Sequence, residues 1–163
     1  MTWTATEGSH IFAQWVIGPM LQASGTGYTG LDSDAINFAL FGNTGTPDND
    51  AAVGLTGYNT GAWVTGNEVS TGTEWVAGGR ALASKTFTTP VADVVMFDAA
   101  DLVGASTVTL AGVYGGLAYD NTITAGTVSK QGTSYHYFGG VQGVTAGTFS
   151  VIFNVNGLQR YTL

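Results

Sequence analysis

His10 and His136 are the only imidazoles in a chain without cysteine. A metal site with several His or Cys ligands is therefore excluded, and with it the usual zinc chemistry. No serine stands in a Gly-x-Ser-x-Gly setting, the pattern that exposes a nucleophilic hydroxyl on a sharp strand-to-helix turn. Glu68 and Glu74 lie close in sequence to Trp63 and Trp75. Two acids across a scissile bond, with rings to stack on a sugar, make a glycosidase set, but separation in space decides that chemistry and spacing in sequence does not. The same pattern describes ordinary surface glutamates. Asp32/Asp34 and Asp48/Asn49/Asp50 concentrate oxygen ligands of the kind calcium takes, yet neither cluster has both the glycine and the glutamate of an EF-hand loop. Such side chains also bond their own backbone in turns. His136, within Tyr135-His136-Tyr137-Phe138, alternates against the two tyrosines and reads as a structural or interface histidine. The glycines lack a phosphate-cradling Gly-x-x-x-x-Gly-Lys-Ser/Thr. No catalytic, cofactor-binding or metal-ligating residue is assigned, and no enzymatic activity is expected.

The elements that carry these residues follow from periodicity. Residues 6–17 predict the one helix, with Thr6 as cap, Glu7 at the positive end of the dipole, and Ile11, Phe12, Trp15 and Val16 on one face. Gly18-Pro19 ends it. Beyond this point the period becomes two. Ile36, Phe38 and Leu40 share a face, as do Val94 and Met96, and as do Val108, Leu110 and Tyr114. A strand ends at Tyr119, where Asp120-Asn121 marks a tight turn. Phe149, Val151, Phe153 and Val155 alternate up to Asn156-Gly157, which predicts a type I′ hairpin into residues 158–163. Glycine-rich clusters at 115–116, 139–143 and 146–147 read as further turns, and residues 42–80 as the longest irregular stretch and the main exposed loop region. The expected fold is all-β: one domain over residues 1–163, an antiparallel β-sandwich or jelly-roll-like barrel, with residues 1–22 as an N-terminal arm or short helix.

Composition narrows the partners. Charged residues make up 9% of the 163 residues, against about 25% in an ordinary soluble domain. A chain with 44% hydrophobic residues and so few charges is on the folded side of the disorder boundary. Its surface lacks the Lys and Glu that discourage association. Arg80, Lys85, Lys130 and Arg160 stand against 11 acids, for a net charge of −7. Four scattered cations do not neutralise a run of phosphates, so neither nucleic acid nor an anionic membrane is an expected partner. Glu7 precedes any basic residue and the apolar run 11–21 is short and interrupted, so neither a signal peptide nor a membrane span is expected, and assembly in the cytoplasm is.

Several stretches taken together resemble a known family. Leu31-Asp32-Ser33-Asp34 running into Ala39-Leu40-Phe41, then Asn67-Glu68-Val69, Trp75 with Ala77-Gly78-Gly79 and Leu82, then Val95-Met96-Phe97-Asp98-Ala99, and finally Tyr137-Phe138-Gly139-Gly140 with Val144-Thr145-Ala146-Gly147-Thr148-Phe149, are similar in order to small virion proteins of tailed, actinobacteriophage-like phages. These are head decoration or minor capsid proteins, some of them described as minor tail proteins. The resemblance implies a structural protein bound to the outside of the capsid, partnered by the major capsid protein and by copies of itself, a trimer being favoured. It implies no catalytic residue and no cofactor. Trp3, Trp15, Tyr58, Trp63 and Trp75 are the candidate interface residues, against the competing reading that large aromatics of a small β domain are core. A tail tube or tip component and a sugar-binding module for host attachment are the alternative functions.

Overall fold

The computed structural model describes residues 2–5, 8–12, 15, 27–126 and 128–162. Its strands are β1 (His10–Ile11), β2 (Ile36–Phe41), β3 (Arg80–Ala81), β4 (Thr86–Thr88), β5 (Val94–Asp98), β6 (Val108–Asp120), β7 (Gly132–Gly147) and β8 (Gln159–Thr162). They form two antiparallel sheets, one of five strands in the order β1-β7-β6-β2-β3 and one of three in the order β4-β5-β8. This is the expected all-β sandwich. One hydrophobic cluster joins the sheets, from Phe38, Leu117 and Tyr135 on the first to Phe97 on the second and Leu158 just before β8.

Three sequence expectations are corrected. The helix does not run through residues 10–11: His10–Ile11 is extended and pairs with Tyr135 and Ser134 of β7, Trp15 is helical, and no helix of seven residues or more occurs among the described residues. Residues 6–7, 13–14 and 16–17 lie outside the described set. The Asn156-Gly157 hairpin is also absent, because β8 pairs with β5 rather than with residues 149–155. Gly157 instead closes a turn by donating its N–H to Asn154 O at 2.8 Å, with Asn154 Oδ1 accepting from Asn156 N at 2.9 Å. Only Gly157 of the pair has positive φ, whereas a type I′ turn needs it at both central residues.

The third correction concerns glycine. Gly115-Gly116 reads as a turn in the sequence, yet both lie inside β6, paired with Phe41 and Leu40 of β2 along one edge. A Cβ on Gly115 would fall inside the Trp3 ring, and one on Gly116 inside the Phe38 ring. These glycines make room for aromatics. Gly139 and Gly140 differ: a Cβ there meets nothing, but their φ values are +79° and +142°. They bend β7 without ending it, and the β6–β7 ladder shifts register several times along its length.

Residues 42–80 are irregular as expected, with three single-turn 3₁₀ segments at Val53–Leu55, Gly61–Trp63 and Thr65–Asn67. They are not simply exposed. The stretch inserts Thr56, Tyr58, Trp63 and Trp75 into the interior. Trp63 meets Phe41 at 5.2 Å, Tyr135 at 5.5 Å, Trp3 at 5.8 Å and Phe12 at 6.0 Å between ring centroids, mostly edge to face.

Two stability outcomes follow, both read by denaturant unfolding. Trp63→Ala should cost about 3–5 kcal/mol, the range for removing a buried aromatic. Gly115→Ala should cost about 1–3 kcal/mol by overpacking, whereas Gly72→Ala, where a Cβ meets open space, should stay within about 0.5 kcal/mol.

Candidate functional site

The five aromatics expected to touch a partner are core residues. Trp3, Trp15, Trp63 and Trp75 are at most 2% exposed and Tyr58 is 8% exposed. Three of their polar tips find partners inside, which removes the usual reason for such a ring to reach water. Trp3 Nε1 donates to Gly8 O at 3.2 Å, Trp75 Nε1 to Phe149 O at 3.1 Å, and Tyr58 OH to Glu68 Oε2 at 2.7 Å.

The glutamates are braces for the irregular stretch. Glu68 also accepts Gly78 N at 2.8 Å, while Tyr119 OH donates to Gly78 O at 2.7 Å and stacks on Tyr58 at 4.7 Å. Burial and the nearby Glu68 carboxylate push the Tyr58 phenol far above its ordinary value, and burial pushes Tyr119 up to about 12. Glu74 accepts Ala105 N at 2.7 Å and Ser106 N at 3.2 Å and faces Arg80 at 3.5 Å. The bond from Ala105 leads in holding its pKa below the usual carboxylate value. Each glutamate is thus tied to backbone donors of a different segment, and the tryptophans beside them present no face to a sugar. Asp48 Oδ1 accepts Asp50 N at 2.9 Å, a local turn, and no cluster of three potential metal ligands occurs among the described residues.

What the structure does bring together was missed in the sequence. Three adjoining hollows of about 450, 300 and 260 Å³ run between β7 and the segment 149–160, sharing His136 and Asn154 at one junction and Phe138 and Ile152 at the other. The lining of this groove is mixed throughout: His10, His136 and Arg160 stand with Ile11 and Leu158 at one end, and Phe138, Phe149 and Ile152 with Gln142 and Ser150 at the other. Ile152, which lines the groove, is 65% exposed, and Val141 and Val155, next in sequence to the lining residues Gln142, Asn154 and Asn156, are 60% and 88% exposed. The alternation of Phe149, Val151 and Phe153 does point inward, but the chain turns at 154–157 and leaves Val155 outside. Apolar residues on both faces of the 149–155 run were the available signal.

His136 is tied into the fold. Its Nε2 lies 3.0 Å from Ser134 Oγ, which accepts from Gln159 Nε2 at 3.3 Å. Ser134 is 1% exposed, so this Ser–His contact offers no nucleophile to a substrate. Burial lowers the His136 pKa to about 4.

All four cations are engaged internally. Arg80 pairs with Glu74 and lies 5.1 Å over Trp75, Lys85 donates to Asp34 O, Lys130 lies 5.3 Å over Tyr58, and Arg160 donates to Asn156 Oδ1 at 2.7 Å. Asp32, Asp48, Asp50, Asp93 and Asp101 are exposed. The outward field is therefore acidic. No protein-family model, curated protein or solved structure matches the chain.

The depressed His136 value has a definite sign. Between about pH 4 and its unfolded value near 6.5 the unfolded chain binds more protons, so this group adds stability as pH rises across that window and withdraws it on acidification. His136→Gln should remove that dependence. The unfolding free-energy difference between the proteins should change by about 1–2 kcal/mol across the window, less than the full value for a wholly buried ring because His136 borders the groove. A difference independent of pH would contradict the assignment.

Proposed function

We propose that the protein is a non-catalytic structural protein of a phage particle that binds the outer surface of the capsid and reinforces contacts between major capsid subunits. The observation that supports the adhesive part of this reading is the groove beside β7, lined in part by Phe138, Phe149 and exposed Ile152, with exposed Val141 and Val155 next in sequence to other lining residues, on an otherwise sparsely charged, acidic surface. Single exposed aliphatics are commonplace, but apolar side chains grouped along one groove suit a contact surface. The capsid part rests on the family resemblance of residues 31–163. Each copy would contribute a modest apolar contact, and a homo-oligomer, a trimer on this reading, would multiply it through effective concentration.

The acidic surface favours a partner patch that is apolar or basic, and disfavours nucleic acid and anionic lipid. A tail location keeps the same chemistry of adhesion and differs in copy number: many copies per particle belong to the head, few to the tail. The sugar-binding alternative loses its basis, because Trp63 and Trp75 are buried.

Purified protein mixed with undecorated heads should bind with saturable stoichiometry. Ile152→Asp and Val155→Asp should each weaken that binding about tenfold or more, the loss of roughly 1.4 kcal/mol of contact energy, with melting temperature unchanged because both side chains are exposed. Heads that take up neither the parent protein nor the variants would overturn the capsid assignment.

A further inference from the structure

Asp120 ends β6 and is fully buried, and Asp34, 3% exposed, closes the loop that leads into β2. Their side chains are in hydrogen-bond contact. Among the described residues no N–H or O–H reaches Asp120 Oδ2, although that atom has no access to water. Two carboxylates do not share a contact while both are charged, so one proton must lie between them. The donors around the pair say which oxygen holds it. Asp34 accepts Thr29 N at 2.9 Å, Gly30 N at 3.3 Å and the Thr29 hydroxyl, and so remains charged. Asp120 accepts Thr122 N at 2.8 Å on Oδ1 and the Ile123 backbone also favours its charged form, but among the described residues no donor reaches Oδ2, which is left to carry the proton and donate it to Asp34.

We propose that this carboxyl pair is a proton-operated clasp that fastens the loop 27–34 to the end of β6 and loosens as the surroundings pass from acidic to neutral. Burial, with Asp34 as a further cause, raises the Asp120 pKa to about 7. The folded state thus binds more protons than the unfolded one between the ordinary aspartate value and about pH 7. Stability from this group is complete below about pH 4 and lost by about pH 7. Asp34 is shifted the other way and titrates below that window. The remaining groups near the pair are Tyr28, whose ionisation both carboxylates and Asp32 oppose, and Lys85, whose ammonium donates to the Asp34 carbonyl. This inference does not depend on the capsid reading.

Global stability is a poor readout, because His136 titrates across part of the same window with opposite sign. Amide hydrogen exchange of residues 27–35 reads the clasp locally. Relative to Asp120→Asn at the same pH, whose amide keeps the bond to Asp34 without a titrating proton, wild-type exchange should accelerate by up to about tenfold per pH unit between about pH 4 and 7 and then level off. Carbon-13 titration of the wild-type aspartates, which needs no variant, should show one carboxyl ionising near neutrality. Exchange ratios that do not change with pH, or aspartates all ionised by about pH 5, would overturn the proposal. So would restoration of protection near pH 8 by millimolar calcium in wild type, since the pair would then hold a cation in place of a proton.

Discussion

The fold depends on one tryptophan that stands in no strand. Trp63 comes from the irregular residues between β2 and β3, and its ring touches aromatics from four other parts of the chain: Trp3, Phe12, Phe41 and Tyr135. A segment so long has little backbone pairing of its own and loses much conformational entropy on ordering. No disulfide shares that cost. The segment is held by buried ring area and by the Tyr58–Glu68–Gly78–Tyr119 bonds around it, which also satisfy the polar groups such an insertion carries inward. The aromatic content of a small β domain is thereby accounted for as cross-bracing.

That arrangement explains which parts of the molecule were readable from residue order. Ile36–Phe41, Val94–Asp98 and Val108–Asp120 are strands where alternation placed them, because alternation records a local constraint, the two faces of a strand. Gly115-Gly116 and Gly139-Gly140 look alike in the sequence and do opposite things. The first pair yields space to rings from residues 3 and 38, and the second supplies backbone angles. Only the distant ring distinguishes them. The Asn156-Gly157 signal failed for a related reason: β8 gains more by pairing with β5, a partner about sixty residues away, than a two-residue hairpin offers. The aromatic candidates at positions 3, 15, 58, 63 and 75 were assigned to a surface on residue type, while tertiary hydrogen bonds drew three of their polar tips inward. The groove side stayed unseen because it is made by two segments, β7 and 149–160, that share no motif.

Electrostatics follows the same economy. With only four cations, each is spent on a carboxylate, a carbonyl, an amide or an aromatic face of the chain itself. What remains outward is acidic and uncharged polar surface. Inside, a neutral imidazole and a protonated carboxyl respond to pH in opposite directions, His136 favouring stability as acidity falls and Asp120 opposing it. Between about pH 4 and 6.5 it is chiefly the unfolded chain that titrates at these two positions, so their effects on stability oppose each other across that window.

The same scarcity of charge bears on how such a domain avoids indiscriminate association. Lysines on edge strands are a common guard against strand-to-strand pairing, and this chain has few to place there. Its larger sheet is guarded by brevity, since the edge strands β1 and β3 are two residues each. At one edge of the smaller sheet, β4 is three residues long and Pro90 follows closely. Short edges give another chain few backbone groups to pair with. The exposed apolar side chains stand away from those edges: Ile152 and Val155 lie on a segment without regular pairing.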